Sequence, residues 1–95
     1  MSFETLGENI QHCEGEIFKT LRGISYSYTY CTDYILINND KRRRISKQSF
    51  KTALLIENTS PSKISMAGLW GSSYIYGIIT DSRIKNKKTI SSYEI

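Results

Sequence analysis

Between Ile24 and Cys31 the chain alternates without exception, with Ile24, Tyr26, Tyr28 and Tyr30 at even positions and Ser25, Ser27, Thr29 and Cys31 at odd ones. A period of two sends successive side chains to opposite faces of an extended backbone, so the three tyrosines share a face. Large rings on one side and small polar groups on the other mark a strand with one buried and one wet face. The expected use of the ladder is therefore as core, with base stacking on an exposed sheet as the competing use. Any fold for this chain must supply strands to flank that segment and helices to cover its rings.

The flanking sequence supplies both neighbours. Glu16 to Arg22 reads as a preceding strand, with Ile17 and Leu21 on one face and Phe18 and Thr20 on the other, joined through a turn at Arg22-Gly23. After Thr32-Asp33 the chain returns antiparallel as Tyr34 to Asn38. Asn38-Asn39-Asp40 is a second turn, since Asn and Asp tolerate positive φ and bond their own backbone. Arg42 to Ile45 then forms a short fourth strand, in which Arg42 and Arg44 face away from Arg43 and Ile45. Charge on an outer strand discourages pairing with other chains, which is the purely structural account of the arginines.

Helices come from the rest. Ser2 caps a first helix with Phe3, Leu6, Ile10 and Cys13 on one face. Ser46 caps another, placing Phe50, Ala53, Leu54 and Glu57 on one side and Lys47 and Lys51 on another. Asn58 to Ser62 reads as a polar loop around the single proline, and Ile64 to Gly71 as a loop that carries Trp70. Ser72-Ser73 opens a helix over Tyr74 to Ser82, although Tyr and Ile also favour strands and Gly77 disfavours a helix interior. The expected fold class is α+β: an antiparallel β-meander of three or four strands over about 16–45, packed against two or three short helices. Ninety-five residues suffice for one small domain spanning 1–95, with a polar basic segment from about residue 85.

Several functional classes drop out. The apolar runs are far shorter than the ~20 residues of a membrane-crossing helix. Residues 1–16 hold Glu4, Glu8, Glu14 and Glu16 with no base, the reverse of a secretory signal, which places the expected protein in the cytoplasm with Cys13 and Cys31 reduced. His12 beside Cys13 lacks the paired spacing of zinc ligands. No phosphate-binding glycine loop and no nucleophile elbow are present, so neither a cofactor, a metal nor a standard catalytic constellation is expected.

What remains is charge. The net charge is +4, and residues 41–51 hold six bases and no acid, while Arg83 to Lys88 holds four more. The principal expectation is a non-catalytic nucleic-acid-binding protein that uses Arg42, Arg43, Arg44, Lys47 and Lys51, joined by Arg83, Lys85, Lys87 and Lys88 if the two segments meet in space. Trp70 reads either as core filling or as a partner contact. A second expectation is a protein-binding or inhibitor module of the kind a mobile element encodes, with an acidic partner or a second copy of the chain, because Tyr, Trp and Arg also dominate protein interfaces. In size and charge the chain resembles small basic toxin ribonucleases of the RelE type. That resemblance covers no motif, and it implies metal-independent RNA cleavage in which basic and phenolic groups stabilise the transition state.

Overall fold

The computed structural model describes residues 3–40 and 43–85. In chain order these form α1 (Phe3–His12), β1 (Phe18–Lys19), β2 (Ser25–Tyr26), β3 (Tyr28–Tyr30), β4 (Tyr34–Ile37), β5 (Arg43–Ser46), α2 (Lys47–Leu54), α3 (Pro61–Met66), α4 (Ser72–Ile79) and α5 (Ser82–Lys85). The strands make two antiparallel sheets, a β1-β2 hairpin and a β3-β4-β5 meander. The fold is α+β, as the alternation demanded. Helix α4 packs on β1, α2, α3 and α5, while α1 leans on α2 and α5.

The tyrosine stretch keeps one phase but is two strands. Ser27 separates them: its N–H donates to Asn39 Oδ1 at 2.9 Å, and its carbonyl accepts the Asn38 N–H at 3.0 Å. The second turn thus fastens the point where the chain passes from the small sheet to the larger one. Because the phase survives, Tyr26 and Tyr28 are both fully buried and Tyr30 is half-buried. The Phe18 ring sits 6.0 Å from Tyr26 and 5.5 Å from Tyr28, centroid to centroid, in tilted contact.

Buried phenols need partners, and here they find backbone carbonyls on the covering helices. Tyr28 donates to Ile10 O on α1, and Tyr26 donates to Tyr74 O on α4 at 3.0 Å. Burial pushes both phenols well above their ordinary pKa, so they remain neutral donors. Buried Asn9 does similar work, donating from Nδ2 to Ile84 O and so tying α1 to α5.

Gly77 explains how α4 can come so near. A Cβ there would lie 2.5 Å from the Tyr26 hydroxyl and 3.0 Å from Lys19 O. The residue that weakens the helix on propensity is therefore what lets the helix dock on the β1-β2 hairpin. The helical choice for this segment holds, with Ile75, Ile78 and Ile79 buried.

Other expectations need correction. The strand expected over Glu16 to Arg22 is only two residues long. Phe18 and Thr20 do point inward, but Ile17 (59% exposed) and Leu21 (73%) face outward. The expected loops around Pro61 contain a helix, α3. Ser60 Oγ accepts the Lys63 N–H at 3.2 Å, Pro61 occupies the first turn where its missing donor costs nothing, and Ile64 is buried. The double serine is not a cap: Gly71, at φ 79°, holds that position and Ser72 and Ser73 lie inside the first turn. Helix α2 stops at Leu54, so Glu57 falls beyond it and is exposed. The described residues thus contain five helices rather than two or three.

On α1 the expected stripe is present in Leu6, Ile10 and Cys13, all buried, while Ser2 and the Phe3 side chain lie outside the described residues. Cys13 in the core and half-buried Cys31 are not joined in a disulfide. Among the described residues no helix is long and apolar enough to cross a membrane.

Candidate nucleic-acid interface

Strand β5 owes its two-sided character to its register. Arg43 pairs with Ile37, Arg44 with Leu36, Ile45 with Ile35 and Ser46 with Tyr34. Ile35, Ile37 and Ile45 are buried, so Arg43 starts the strand on the core side and Arg44 takes the outer side. At that outer end of the core Arg43 does not enter the interior. Its guanidinium lies over the Trp70 ring at 3.9 Å. Arg44 lies over Tyr34, its diagonal neighbour across the sheet, at 4.4 Å. Both arginines are exposed, and among the described residues neither forms an ion pair.

Ser46 ends the strand and begins the helix. Its Oγ accepts the Ser49 N–H at 3.1 Å, while the Lys47 N–H donates to Asp33 O at 2.8 Å. That junction delivers Lys47 and Lys51, one turn apart and both exposed, on the helix that follows Arg44 in the chain. The two lysines line a shallow depression with Asp33, Ser46 and Gln48. Arg43 and Arg44 thus take opposite sides of the edge strand β5, and Lys47 and Lys51 continue the basic run onto α2.

Arg83 has a different life. Its Nε and Nη2 each reach an Asp81 carboxylate oxygen at 3.0 Å, Nη2 also donates to Ile17 O at 2.8 Å, and Nη1 meets Glu16 Oε1 at 3.0 Å. The same guanidinium covers Phe18 at 4.2 Å. Asp81 accepts the Arg83 backbone N–H at 2.8 Å as well, at the start of α5. Hydrogen bonds from Arg83 hold the Asp81 carboxyl below its usual range, and the carboxylate raises the arginine in return. The group is a clamp between α5 and the approach to β1.

Of the remaining expected residues, Lys85 is exposed at the end of α5, whereas Arg42, Lys87 and Lys88 lie outside the described residues. α5 packs on α1 and α4, and β5 on β4 and α2, so the two basic groups are anchored to different parts of the fold.

Trp70 is neither fully core nor free. It is 36% exposed, and its ring lies 5.9 Å from that of Tyr74 at a tilt of 43°. Tyr74 in turn donates its hydroxyl to Asp40 Oδ2 at 3.1 Å, and burial together with that bond raises its pKa. Trp70 forms one wall of an open cleft that continues past the 20–24 turn. Two parts of this arrangement were not singled out from the sequence. Tyr34 was findable, because the hairpin register places it diagonal to Arg44. Arg22 was not, since only tertiary folding brings the 20–24 turn to Trp70.

A second hollow, among Leu6, Ile10, Tyr30, Cys31 and Phe50, has about 30 Å³ of open space. That is water-sized and leaves no room for an organic ligand. Comparisons of the chain with protein-family models, with curated proteins and with solved structures each find no match.

Proposed function

We propose that this protein binds nucleic acid through β5 and the first turns of α2, without catalysing a reaction. The observation that carries the reading is the state of Arg43 and Arg44. Each is exposed, each lies over an aromatic ring, and neither is neutralised by a carboxylate among the described residues. A stacked guanidinium keeps its outward N–H groups available while losing little further freedom when it meets a phosphate. Lys47 and Lys51 extend the positive edge onto α2, and Asp33 beside them limits its depth. Arg83 has no part in it, because four of its five N–H donors already meet Asp81, Glu16 and the Ile17 carbonyl.

Binding of this kind is dominated by counterion release and weakens steeply with salt. Titration of labelled oligonucleotides at several salt concentrations should therefore show association at low salt. Arg43→Ala and Arg44→Ala should each reduce the slope of log affinity against log salt by about one. No association at low salt, or an unchanged slope in the double variant, would sink the reading. Scoring the same RNA for integrity separates binding from the cleavage that a ribonuclease would produce.

A second reading has its own support in Leu21 and Ile24, which are 73% and 58% exposed on the β1-β2 hairpin. Exposed aliphatic side chains beside a half-exposed tryptophan also suit a protein partner or a second copy of the chain. Recovery of one stoichiometric protein after nuclease treatment, or dimerisation in solution, would favour it over the first.

A further inference from the structure

The cleft beside Trp70 adjoins the basic edge, because Arg43 lies over the tryptophan that lines it, and it has a composition that the edge lacks. Leu21, Arg22 and Ile24 form its turn side, and Ser62, Ser72 and Ser73 its helix side, around an open volume of about 680 Å³. Its lining includes a cation and no carboxylate; the Asp40 carboxylate that approaches this wall is occupied by the Tyr74 hydroxyl. Trp70 lines this hollow while still partly exposed and carries a guanidinium on its ring. A group that fits such a place is flat and apolar on its faces, polar at its edges and attached to negative charge.

That describes an unpaired nucleotide. In a duplex the base faces are already stacked on one another, so a tryptophan has nothing to receive. A single strand presents both faces, and stacking on an aromatic side chain contributes about 1–3 kcal/mol per base. The hydroxyl-rich helix side carries the choice one step further. Serine hydroxyls both donate and accept, as the ribose 2′-hydroxyl does, and DNA has no equivalent group.

Resting on the nucleic-acid reading above, we propose that the ligand is single-stranded RNA, with one base seated against Trp70 and its flanking phosphates between Arg43 and Arg22. The Trp70–Arg43 pair marks where the strand leaves the basic edge and enters the cleft. Leu21 and Ile24 then flank the seated base rather than serve a protein partner.

Trp70 is the single tryptophan of the chain, so its fluorescence reports on this cleft alone. The full chain is titrated at low salt with an oligouridylate of about 12 nucleotides, its deoxyuridylate counterpart and a blunt RNA duplex of the same length. Quenching of Trp70 emission by the oligouridylate is expected, with affinity about tenfold above that for the duplex and about threefold above that for the deoxy strand. Trp70→Phe, checked for folding by circular dichroism, should lose about fivefold for the single strand and nothing for the duplex. Equal binding of duplex and single strand without quenching overturns the cleft assignment and leaves the basic edge standing. Equal affinity for ribo and deoxy strands overturns the choice of RNA. Failure of every probe to bind at low salt removes the underlying reading itself.

Discussion

Arg83 and the pair Arg43 and Arg44 are the same residue type, each over an aromatic ring at about the same height, 4.2 Å in one case and 3.9 and 4.4 Å in the others. They differ in what else they touch. Arg83 spends its donors on Asp81, Glu16 and a backbone carbonyl, and it seals Phe18, which itself packs on Tyr26 and Tyr28. Arg43 and Arg44 touch a ring and, among the described residues, no acid. Cation–aromatic contact alone therefore says nothing about role; the carboxylates decide it. Where acids close the donor set the arginine belongs to the fold, and where they are lacking it keeps donors for a partner.

The comparison breaks most directly beneath Arg83, where tolerance is smallest. Gly77→Ala should gain up to about 1 kcal/mol in helix propensity yet lose more to the 2.5 Å approach of its new Cβ to the Tyr26 hydroxyl. A net destabilisation of about 2 kcal/mol is expected from denaturant midpoints. Oligonucleotide affinity per folded molecule should not change, because the basic edge is held by β4 and α2. A stabilised variant would mean that the hairpin is loosely seated and that Arg83 clamps little.

Arg83→Ala should come next, at about 1–2 kcal/mol, from lost charge-assisted bonds and an uncovered Phe18. Its side chain is 39% exposed, so solvent screening keeps the ion pairs themselves to a small part of that figure. Arg83→Lys should recover only a fraction, since an ammonium cannot bridge two carboxylates and a carbonyl in one plane. Thermal melts of the three proteins would rank them; equal melting temperatures would place Arg83 with the free arginines after all.

Acid supplies a gentler probe of the same clamp. Asp81 has its folded-state pKa lowered by Arg83, so its contribution is complete above the ordinary carboxyl range and is lost as pH falls through that range toward the lowered value. Stability of the natural protein should decline below about pH 5, and Asp81→Asn should flatten that decline while lowering stability at neutral pH. The raised Arg83 pKa adds nothing across this window, because the arginine stays charged throughout it. Parallel pH profiles for the two proteins would remove Asp81 from the clamp.

Local patterns made the fold class legible and long-range contacts concealed the site. The tyrosine phase, the two-residue Thr32-Asp33 connection and the Ser46 cap are all short-range rules, and each holds in the structure. The break at Ser27 was hidden because it depends on Asn38 and Asn39, which reach it only after the hairpin has formed. Helix α3 was legible and passed over: Ser60-Pro61 with Ile64 three residues on is a cap, a first-turn proline and a buried anchor. Arg83 was illegible in principle, because Asp81 beside it looks like an ordinary polar neighbour, and Glu16 and Ile17 lie more than sixty residues away. A charge run in sequence counts cations; only the fold shows which have been answered.

The smallest expected effect tests the other half of the comparison. Arg43→Ala and Arg44→Ala each remove an exposed cation–aromatic contact, worth about 0.5–1 kcal/mol where water competes. Neither strips a buried acid of its partner, and the strand register rests on Ile35, Ile37 and Ile45. Part of the lost contact is returned as relief of repulsion between neighbouring cations, so each variant should sit within about 0.5 kcal/mol of the natural protein in urea or thermal unfolding. The Arg43 variant should also show altered Trp70 emission in the absence of any ligand, as the guanidinium leaves the ring. Losses on the scale of Arg83→Ala would mean that these arginines hold the fold together, and the distinction between answered and unanswered guanidinium groups would carry no functional meaning.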